Sequence, residues 1–421
     1  MGINYTLTAN SDEFSNCKEP KLNYSSTPID DAVEIVPQGI LFDYGIKDYL
    51  IEIHSNEVFV KLFFKNGTGD CPFDLFGATF WLISRYEEYL PFKANKYNVF
   101  DYRSSVAWQN NFLDKPLVNI WSQILKKLLL KKFPSLIFSP KQFKVTTTID
   151  IDNVFKYKHK GFVRSIAGVV SDLKSGNIPQ LKNRLQTMFL NKTDEFDCYE
   201  YLIETNKTYN AKVIYFFLLG DYGVNDKNHP SRNLKFQTLI KHLADYSISG
   251  IHPSFASNYN IQQLKIEIVR LSSITHRDII YSRQHFGMLQ FPITYSELIL
   301  AGIKNDYSLG YTTINGFRAS ICHSYKWYNL FNELETALVL HPFCLTDAAL
   351  EKETKSNPSS ALTVLETYVN QVKQQNGEFI TVFHNDMLAN TPKGMVWRGI
   401  YESLQKLTQA PVLAETSASV S

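Results

Sequence analysis

The stretch Lys144-Val-Thr-Thr-Thr-Ile-Asp-Ile-Asp-Asn153 is an apolar, β-branched run that ends in two carboxylates, Asp150 and Asp152. Residues two apart on a strand point to the same side, so the run predicts a buried strand that delivers both carboxylates to one spot. Ligand sites of α/β folds form at the C-terminal ends of strands. Two adjacent carboxylates do not both ionise freely without a cation or a hydrogen-bond network. The alternative is a plain strand end whose Asp side chains cap the following segment.

Strand-like and helix-like segments alternate after this stretch. Apolar runs typical of strands occur at 213–219, 249–252, 279–283, 337–341 and 378–384. Segments with helical periodicity lie between several of them, at 233–245, 261–274 and 363–374. Repeated βα units of this kind imply a parallel sheet or barrel.

The first 140 residues have a different pattern, with short β-like runs and two amphipathic helices predicted at 73–90 and 120–130. The Pro-containing segment 133–140 marks the boundary before the Asp150 strand. We therefore predict three parts: an N-terminal α+β domain of unknown function over 1–140, a second domain over 141–410 and a flexible tail over 411–421.

Composition excludes several classes of protein. The 421 residues carry a net charge of +2, which argues against a nucleic-acid binder that relies on a large basic surface. The apolar runs are far shorter than the ~18 residues of a membrane span. Five scattered cysteines without CxxC spacing, and an N-terminus without a signal-peptide pattern, favour reduced thiols and a cytoplasmic location.

Polar residues collect at the ends of the predicted strands. They are Asp150 and Asp152, Asp221, His252, Arg283 with His285, Asp306, His341 and His384. In a parallel sheet these side chains converge on one face. Asp and His ligands with open positions suit a divalent metal such as Zn²⁺, and an Asp base with a His acid would complete a hydrolase site. A strand-end His is about as often a loop hydrogen-bonder, and Asp221 could be only a turn residue.

In their order, these motifs resemble those of the polysaccharide deacetylase (NodB-homology, carbohydrate esterase) family. Thr148-Ile-Asp-Ile-Asp152 is similar to its first motif, which implies that Asp150 is the base and Asp152 a metal ligand. Gly250-Ile-His252 resembles the start of its His-x-x-x-His metal motif. Ser282-Arg-Gln-His-Phe286 stands where the family has Arg-x-Pro-aromatic, so Arg283 would hold Asp150 ionised. Phe379-Ile-Thr-Val-Phe-His-Asn385 resembles the last motif, whose His, here His384, is the general acid.

The resemblance implies α/β architecture: a distorted (β/α) barrel of about seven parallel strands after a smaller N-terminal α/β domain. It also implies a metal-dependent carbohydrate deacetylase that acts on amide bonds other than peptide bonds, with Zn²⁺ as the expected ion.

A Bacteroidetes-type branch, which joins an uncharacterised N-terminal domain to such a barrel, has further similar motifs. They include Ser84-Arg-Tyr-Glu-Glu-Tyr-Leu-Pro91, Gly220-Asp-Tyr-Gly223, Asp226-Lys-Asn228, Asp306-Tyr-Ser-Leu-Gly-Tyr311 and Gly316-Phe-Arg-Ala319. This implies cell-surface polysaccharide biosynthesis as the setting, with a carbohydrate substrate and other biosynthetic enzymes as partners. We assign substrate binding to the polar residues Asp221, Tyr222, Asp306, Arg318 and His341.

One departure from the family pattern concerns the metal. The second metal His of the family would fall at Ala256, which has no donor atom. We expect His285 to supply the missing ligand, with Ser257 or Asn258 as alternatives. Otherwise the metal is lost and the barrel binds sugar without hydrolysing it, as a glycan-binding or assembly protein. Another metal-dependent hydrolase of a sugar or amide is the remaining alternative.

Overall fold

The computed structural model describes residues 2–55, 60–62, 69–139 and 141–408. Its strands are β1 Lys21–Asn23, β2 Ala32–Glu34, β3 Ile53–Ser55, β4 Val60–Leu62, β5 Lys144–Ile151, β6 Val213–Phe217, β7 Ile248–Ile251, β8 Tyr281–Ser282, β9 Asn305–Asp306, β10 Tyr325–Asn329, β11 Leu334–Leu340, β12 Leu345–Thr346 and β13 Glu378–His384. Its α-helices are α1 Ser11–Asn16, α2 Leu75–Ile83, α3 Val106–Gln109, α4 Leu117–Lys132, α5 Phe162–Lys174, α6 Ile178–Phe189, α7 Tyr199–Thr208, α8 Leu234–Tyr246, α9 Ile261–Thr275, α10 Ile293–Leu300, α11 Asp347–Thr354, α12 Pro358–Gln374 and α13 Pro392–Thr408. The predicted tail, 411–421, lies outside the described residues.

A nine-stranded sheet forms the centre of the protein. Its order is β10-β11-β9-β8-β7-β6-β5-β13-β12, and each neighbouring pair is parallel except β10 with β11. The prediction of an α/β fold with a large, mainly parallel sheet is therefore confirmed. Within 141–408 no ladder joins β11 to β12, so closure of the sheet into a barrel stays a prediction.

Both faces of the central strands are buried, as expected for parallel strands covered by helices. All residues of β6, Val213–Phe217, are buried. Successive side chains alternate between the faces, so Phe216 joins a small inner cluster with Phe343 whereas Tyr215 joins the main core. The neighbouring strand makes room for the Phe216 ring with Gly250, where a Cβ atom would lie 2.4 Å from it. The inner face of the sheet is thus packed beneath the C-terminal ends of the strands.

The N-terminal region is a small mixed unit that contains a parallel pair, β1 with β2, and an antiparallel pair, β3 with β4. Helix α4 packs on these strands through Trp121, whose indole donates a hydrogen bond to the Val60 carbonyl at 2.9 Å. The ring of Trp121 also contacts Phe73 edge-on, with centroids 5.3 Å apart. The helix predicted over 120–130 is confirmed and extends over 117–132.

The helix predicted over 73–90 is shorter, because α2 ends at Ile83 and a 3₁₀ turn follows at Tyr86–Glu88. Between them Arg85 has a left-handed backbone conformation with φ of 58°, which residues other than Gly rarely adopt. This conformation lets the buried Arg85 guanidinium pair with Glu87 at 2.6 Å and Glu88 at 2.7 Å. The ion pairs hold the chain in a conformation that helical periodicity does not reveal.

The same network joins the N-terminal region to the sheet domain. Arg318 pairs with Glu88 at 2.5 Å, and its carbonyl accepts a hydrogen bond from Arg85. Backbone bonds run beside this contact, from Phe317 N to Leu113 O at 2.7 Å. Because apolar residues on both sides of residue 140 belong to one continuous core, the boundary proposed there stays a prediction.

All five cysteines are free thiols. In the part of the chain described above, no helix combines the length and the apolar character that a membrane span requires.

We expect Glu88→Gln to lower the free energy of unfolding by about 3–5 kcal/mol, because it leaves the buried guanidinium groups of Arg85 and Arg318 with too little negative charge. Urea unfolding followed by circular dichroism measures this loss. The matched control is Glu335→Gln, which breaks the exposed pair of Lys326 and Glu335 and should cost less than about 1 kcal/mol. Equal losses in the two variants would contradict the structural role of the network.

Candidate metal centre

The site lies at the C-terminal ends of β13, β5, β7 and β8. The ladder pairs His384 with Asp150, so the two side chains are cross-strand neighbours. Asp150 is almost fully buried, whereas Asp152, just beyond the end of β5, keeps 32% of its side chain exposed. The prediction that this strand delivers two carboxylates to one place agrees with this arrangement. One of them opens to solvent and the other does not.

Three of the predicted residues, Asp152, His252 and His285, could hold a metal together. Their ligand atoms all lie within 4.8 Å of one another. His252 Nε2 is 3.2 Å from Asp152 Oδ1, and His285 Nε2 is 3.5 Å from Asp152 Oδ2. A carboxylate and two imidazoles form a three-residue set that Zn²⁺ uses in catalytic sites, with a further position open.

The hydrogen bond made by the ring nitrogen that points away from the cluster determines which nitrogen of each imidazole faces its centre. His252 Nδ1 lies 2.5 Å from the Arg283 carbonyl, which only accepts, so this nitrogen carries the proton. In the neutral ring, Nε2 then turns a lone pair toward Asp152 Oδ1, and neither atom has a hydrogen-bond partner among the described residues. Two acceptors 3.2 Å apart repel unless a cation or a proton lies between them. This pair of buried acceptors fits a metal ion.

The electrostatics of the cluster favour positive charge at its centre. Burial acts to lower the pKa of His285, but Asp152 and Asp226 outweigh it and raise that pKa to about 9. Burial acts to raise the pKa of Asp152, but the charges and hydrogen bonds of His285 and His252 bring it well below its ordinary value. The site therefore stabilises a proton on His285, and a divalent cation would replace that proton.

Asp226 orients His285 from behind. Its Oδ1 atom lies 3.1 Å from His285 Nδ1 and accepts a hydrogen bond from Phe255 N at 2.9 Å. Its Oδ2 atom accepts from Ala256 N at 3.3 Å, so position 256 contributes its backbone rather than a side chain. A carboxylate behind a ligating imidazole fixes the tautomer and makes the inner nitrogen a better ligand.

The structure brings His285, and neither of the two alternatives, into the ligand cluster. Ser257 donates its hydroxyl to the Ser254 carbonyl at 2.8 Å. Asn258 donates to the carbonyls of Ser254 and Phe255 at 3.3 and 3.1 Å. Both side chains therefore serve their own 3₁₀ turn.

Asp150 is held by a buried cation. Arg283 Nε lies 3.3 Å from Asp150 Oδ1, while its Nη2 donates to Thr148 Oγ1 at 2.7 Å. The guanidinium lies over the rings of Phe216 and Phe343, at 5.2 and 4.9 Å from their centroids. Arg283 is thus fixed by contacts on several sides, and Asp150 Oδ1 keeps lone pairs without a hydrogen-bond donor among the described residues.

His384 is held by Asp347 on its other side. Asp347, which is fully buried, lies 2.9 Å from His384 Nδ1 and also accepts from His384 N at 2.6 Å. Burial acts to lower the pKa of His384, but the charge and hydrogen bond of Asp347 raise it well above its ordinary value. The imidazolium form is therefore favoured, and its Nδ1–H donates to Asp347.

Two predicted substrate-binding residues, Asp221 and Tyr222, lie on the loop after β6. Asp221 is exposed and pairs with Arg270 at 3.0 Å. Tyr222 is 55% exposed, with the Arg164 guanidinium 4.1 Å from its ring centroid. Both line an open groove of about 890 Å³ along α8 and α9, and none of the metal-cluster residues lines that groove.

The other three predicted substrate-binding residues, Asp306, Arg318 and His341, are not brought to the metal cluster. Asp306 is fully buried and accepts hydrogen bonds from Ser282 and Ser308. Arg318 is committed to Glu88, as described above.

His341 stacks on Tyr307 at 4.3 Å and lies 3.7 Å from Glu378, the first residue of β13. Glu378 lies at the N-terminal end of β13, whereas the metal cluster lies at the C-terminal ends of the strands. For His341, the expectation that all strand-end residues converge is therefore wrong.

Asp226 and Asp347 were missed as functional residues. Asp347 directly follows β12, so the signal used for Asp150, a carboxylate at a strand end, was present. It went unseen because Leu345–Thr346 is too short to show a strand pattern. Asp226 lies in a loop, and no spacing rule connects it to His285.

Comparisons with known proteins give distant similarities. Residues 1–134 match the model of a family of unknown function (DUF7033), and no curated protein matches the chain. One similar solved structure is described as a probable polysaccharide deacetylase from Pseudomonas aeruginosa PAO1, with 11% identity, a TM-score of 0.41, and coverage of 65% of this chain and 89% of that one. Another is a family 4 carbohydrate esterase from Streptomyces lividans in complex with acetate, with 7% identity, a TM-score of 0.32, and coverage of 64% and 88%. A third is a CE4 family pseudoenzyme from Bacillus anthracis, with 10% identity, a TM-score of 0.29, and coverage of 65% and 64%.

We expect Asp226→Asn to weaken Zn²⁺ binding by about 10- to 100-fold, because His285 loses the carboxylate that orients it. Isothermal titration calorimetry on protein stripped of metal measures the change. The matched control is Asp221→Asn, an exposed carboxylate on the same loop, which should leave affinity unchanged. Wild-type protein that neither binds Zn²⁺ nor gains thermal stability from it would contradict the metal centre.

Proposed function

We propose that this protein is a metal-dependent hydrolase that removes an N- or O-acetyl group from a sugar or glycan. The observation that carries the proposal is the pair of unsatisfied, facing acceptors, His252 Nε2 and Asp152 Oδ1, beside a buried carboxylate, Asp150. A strand end without a catalytic role does not require these groups to lie together. A site that binds a divalent cation and transfers protons beside it requires this arrangement.

In this proposal Asp152, His252 and His285 hold the metal, with Zn²⁺ as the expected ion because the ligand set combines nitrogen and carboxylate oxygen. A divalent cation bound there supplies Lewis-acid chemistry for a carbonyl oxygen and lowers the pKa of water.

Asp150 is the general base in the proposal, since its Oδ1 atom has free lone pairs in the buried site. The guanidinium of Arg283 lies 3.3 Å from Asp150 Oδ1 and opposes its charge, and Asp150 takes a proton from the attacking water. His384 is the general acid, because Asp347 keeps it protonated so that it can protonate the leaving group. Their strands are neighbours, so base and acid flank one substrate bond.

The substrate class rests on the sequence motifs from Thr148 to Asn385, which resemble those of carbohydrate deacetylases. Their setting implies a cell-surface polysaccharide precursor as the carbohydrate and other biosynthetic enzymes as partners. The cytoplasmic location belongs to the same proposal. The rival proposal is a glycan-binding or assembly protein with the same barrel and no turnover.

Release of acetate decides between the enzyme and the binder. The purified protein is incubated with N-acetylated oligosaccharides and O-acetylated sugars, with and without a chelator, and free acetate is measured. The enzyme releases acetate in a chelator-sensitive manner. Saturable sugar binding without acetate release, unchanged by chelator, would favour the binder.

We expect Asp150→Asn to lower kcat by about 10²-fold or more while Zn²⁺ stays bound, because the amide cannot act as a base. Acetate release and metal content are measured on the same preparation. Asp152→Ala is the matched contrast, since it should lose both metal and activity. Full turnover in Asp150→Asn would overturn the assignment of the base.

We expect Asp347→Asn to move the alkaline limb of the kcat profile to lower pH by on the order of one unit or more, because loss of a nearby negative charge lowers the pKa of His384. An acid must be protonated, so activity is lost as pH rises through that pKa. The control is Asp386→Asn, an exposed carboxylate two residues after His384, which should shift the limb less. An unchanged limb in Asp347→Asn would show that His384 is not the acid.

A further inference from the structure

The hairpin of α5 and α6, inserted between β5 and β6, turns its apolar faces outward. Nine large apolar side chains in residues 162–190 are exposed, including Phe162 at 81% and Phe189 at 72%. On α5 they recur at intervals of three and four residues from Phe162 to Leu173, so they form one stripe along the helix. A helix in water normally buries such a stripe.

The seam between the two helices is polar instead. Its buried side chains are Asp172 on α5 and Arg184 and Thr187 on α6, and Asp172 pairs with Arg184 at 2.6 Å. Gly168 allows close approach, because a Cβ atom there would lie 2.3 Å from the Arg184 guanidinium. The hairpin thus keeps its charges inside and its apolar residues outside, the reverse of the usual arrangement.

The segment that carries this apolar surface is rich in positive charge. Residues 158–192 contain seven Lys and Arg and one acidic residue, a net charge of +6 in a chain whose net charge is +2. Lys182 lines a shallow apolar groove on α6, between Leu181 and Leu185. The exposed Lys174 ends α5 next to the exposed Leu173.

We propose that the outer face of the α5–α6 hairpin binds the surface of an anionic lipid bilayer. An apolar stripe bordered by Lys and Arg is the pattern of helices that lie in the membrane interface. A second copy of this chain is a poor occupant, because two segments of net charge +6 would repel each other. An anionic surface receives both the apolar side chains and the charge.

The α5–α6 hairpin is hydrogen-bonded to the loop that contains Asp226. Arg164 of α5 donates to the carbonyls of Lys227 and Asn228 at 2.9 and 3.0 Å, and Asp226 behind the metal cluster belongs to the same loop. Docking would therefore hold the mouth of the site in a set relation to the bilayer. The proposal does not depend on the reaction, so its test can fail without affecting the hydrolase.

Vesicle co-sedimentation of the full-length protein tests the proposal. We expect wild-type protein to sediment with vesicles of phosphatidylcholine and phosphatidylglycerol, to bind vesicles of phosphatidylcholine alone much more weakly, and to dissociate at high salt. Equal binding to both vesicles, or none to either, would overturn the proposal.

Paired variants separate the two contributions. Phe162→Ser with Phe189→Ser should weaken binding by at least about tenfold through lost apolar burial. Lys174→Gln with Lys182→Gln should weaken it by roughly 25-fold, at about fivefold per cation removed. The controls are Leu300→Ser, a 70% exposed apolar residue on α10, and Lys326→Gln on β10, and both should bind like wild type.

Sedimentation velocity without lipid provides the remaining check. A monomer for wild type and for the Phe162→Ser/Phe189→Ser variant supports the lipid surface as the occupant. A wild-type dimer that this variant dissociates would overturn it in favour of a second copy. Unchanged circular dichroism in the variants ensures that lost binding does not reflect unfolding.

Discussion

At one set of strand ends, the protein gathers more hydrogen-bond acceptors than donors. Asp150, Asp152 and the inner nitrogen of His252 turn lone pairs toward the same small volume, and His285 Nε2 joins them once a cation replaces its proton. Such a cluster is stable only if positive charge neutralises it, since burying unpaired carboxylates is costly. The sheet meets this need with a fixed guanidinium, Arg283, on one side and room for a cation on the other.

The surrounding contacts give the two carboxylates, Asp150 and Asp152, different roles. Arg283, buried against aromatic rings, pairs with Asp150, so the charged partner of this carboxylate is a guanidinium rather than a metal ion. Asp152 is partly exposed and lies between two imidazoles, each of which has its outer nitrogen hydrogen-bonded to a carbonyl or a carboxylate. These different environments give Asp150 and Asp152 different roles, which their positions two residues apart in the sequence do not reveal.

The sequence could predict the residues that lie at the ends of long, apolar strands. Asp150 and His384 lie at the ends of long runs whose burial on both faces is evident from composition, and His252 follows the short strand Ile248–Ile251. The partners that orient them could not be predicted in the same way. Asp347 follows a two-residue strand, Asp226 lies in a loop, and Arg318 and His341 pair instead with Glu88 and Glu378. Such contacts depend on tertiary geometry, which no local pattern encodes.

The buried polar groups of the metal cluster and those of the α5–α6 hairpin have the same physical explanation. At the strand ends, polar groups are buried because other charges face them, and Arg283 is the clearest case. At the α5–α6 hairpin, Asp172 and Arg184 are buried for the same reason, and this polar seam leaves the apolar stripe no partner within the hairpin. Since exposed apolar area of this kind lowers solubility, the arrangement is favourable only where the stripe meets a less polar surface. In both places the buried charges, and not the apolar residues alone, therefore account for the positions of the polar and apolar groups.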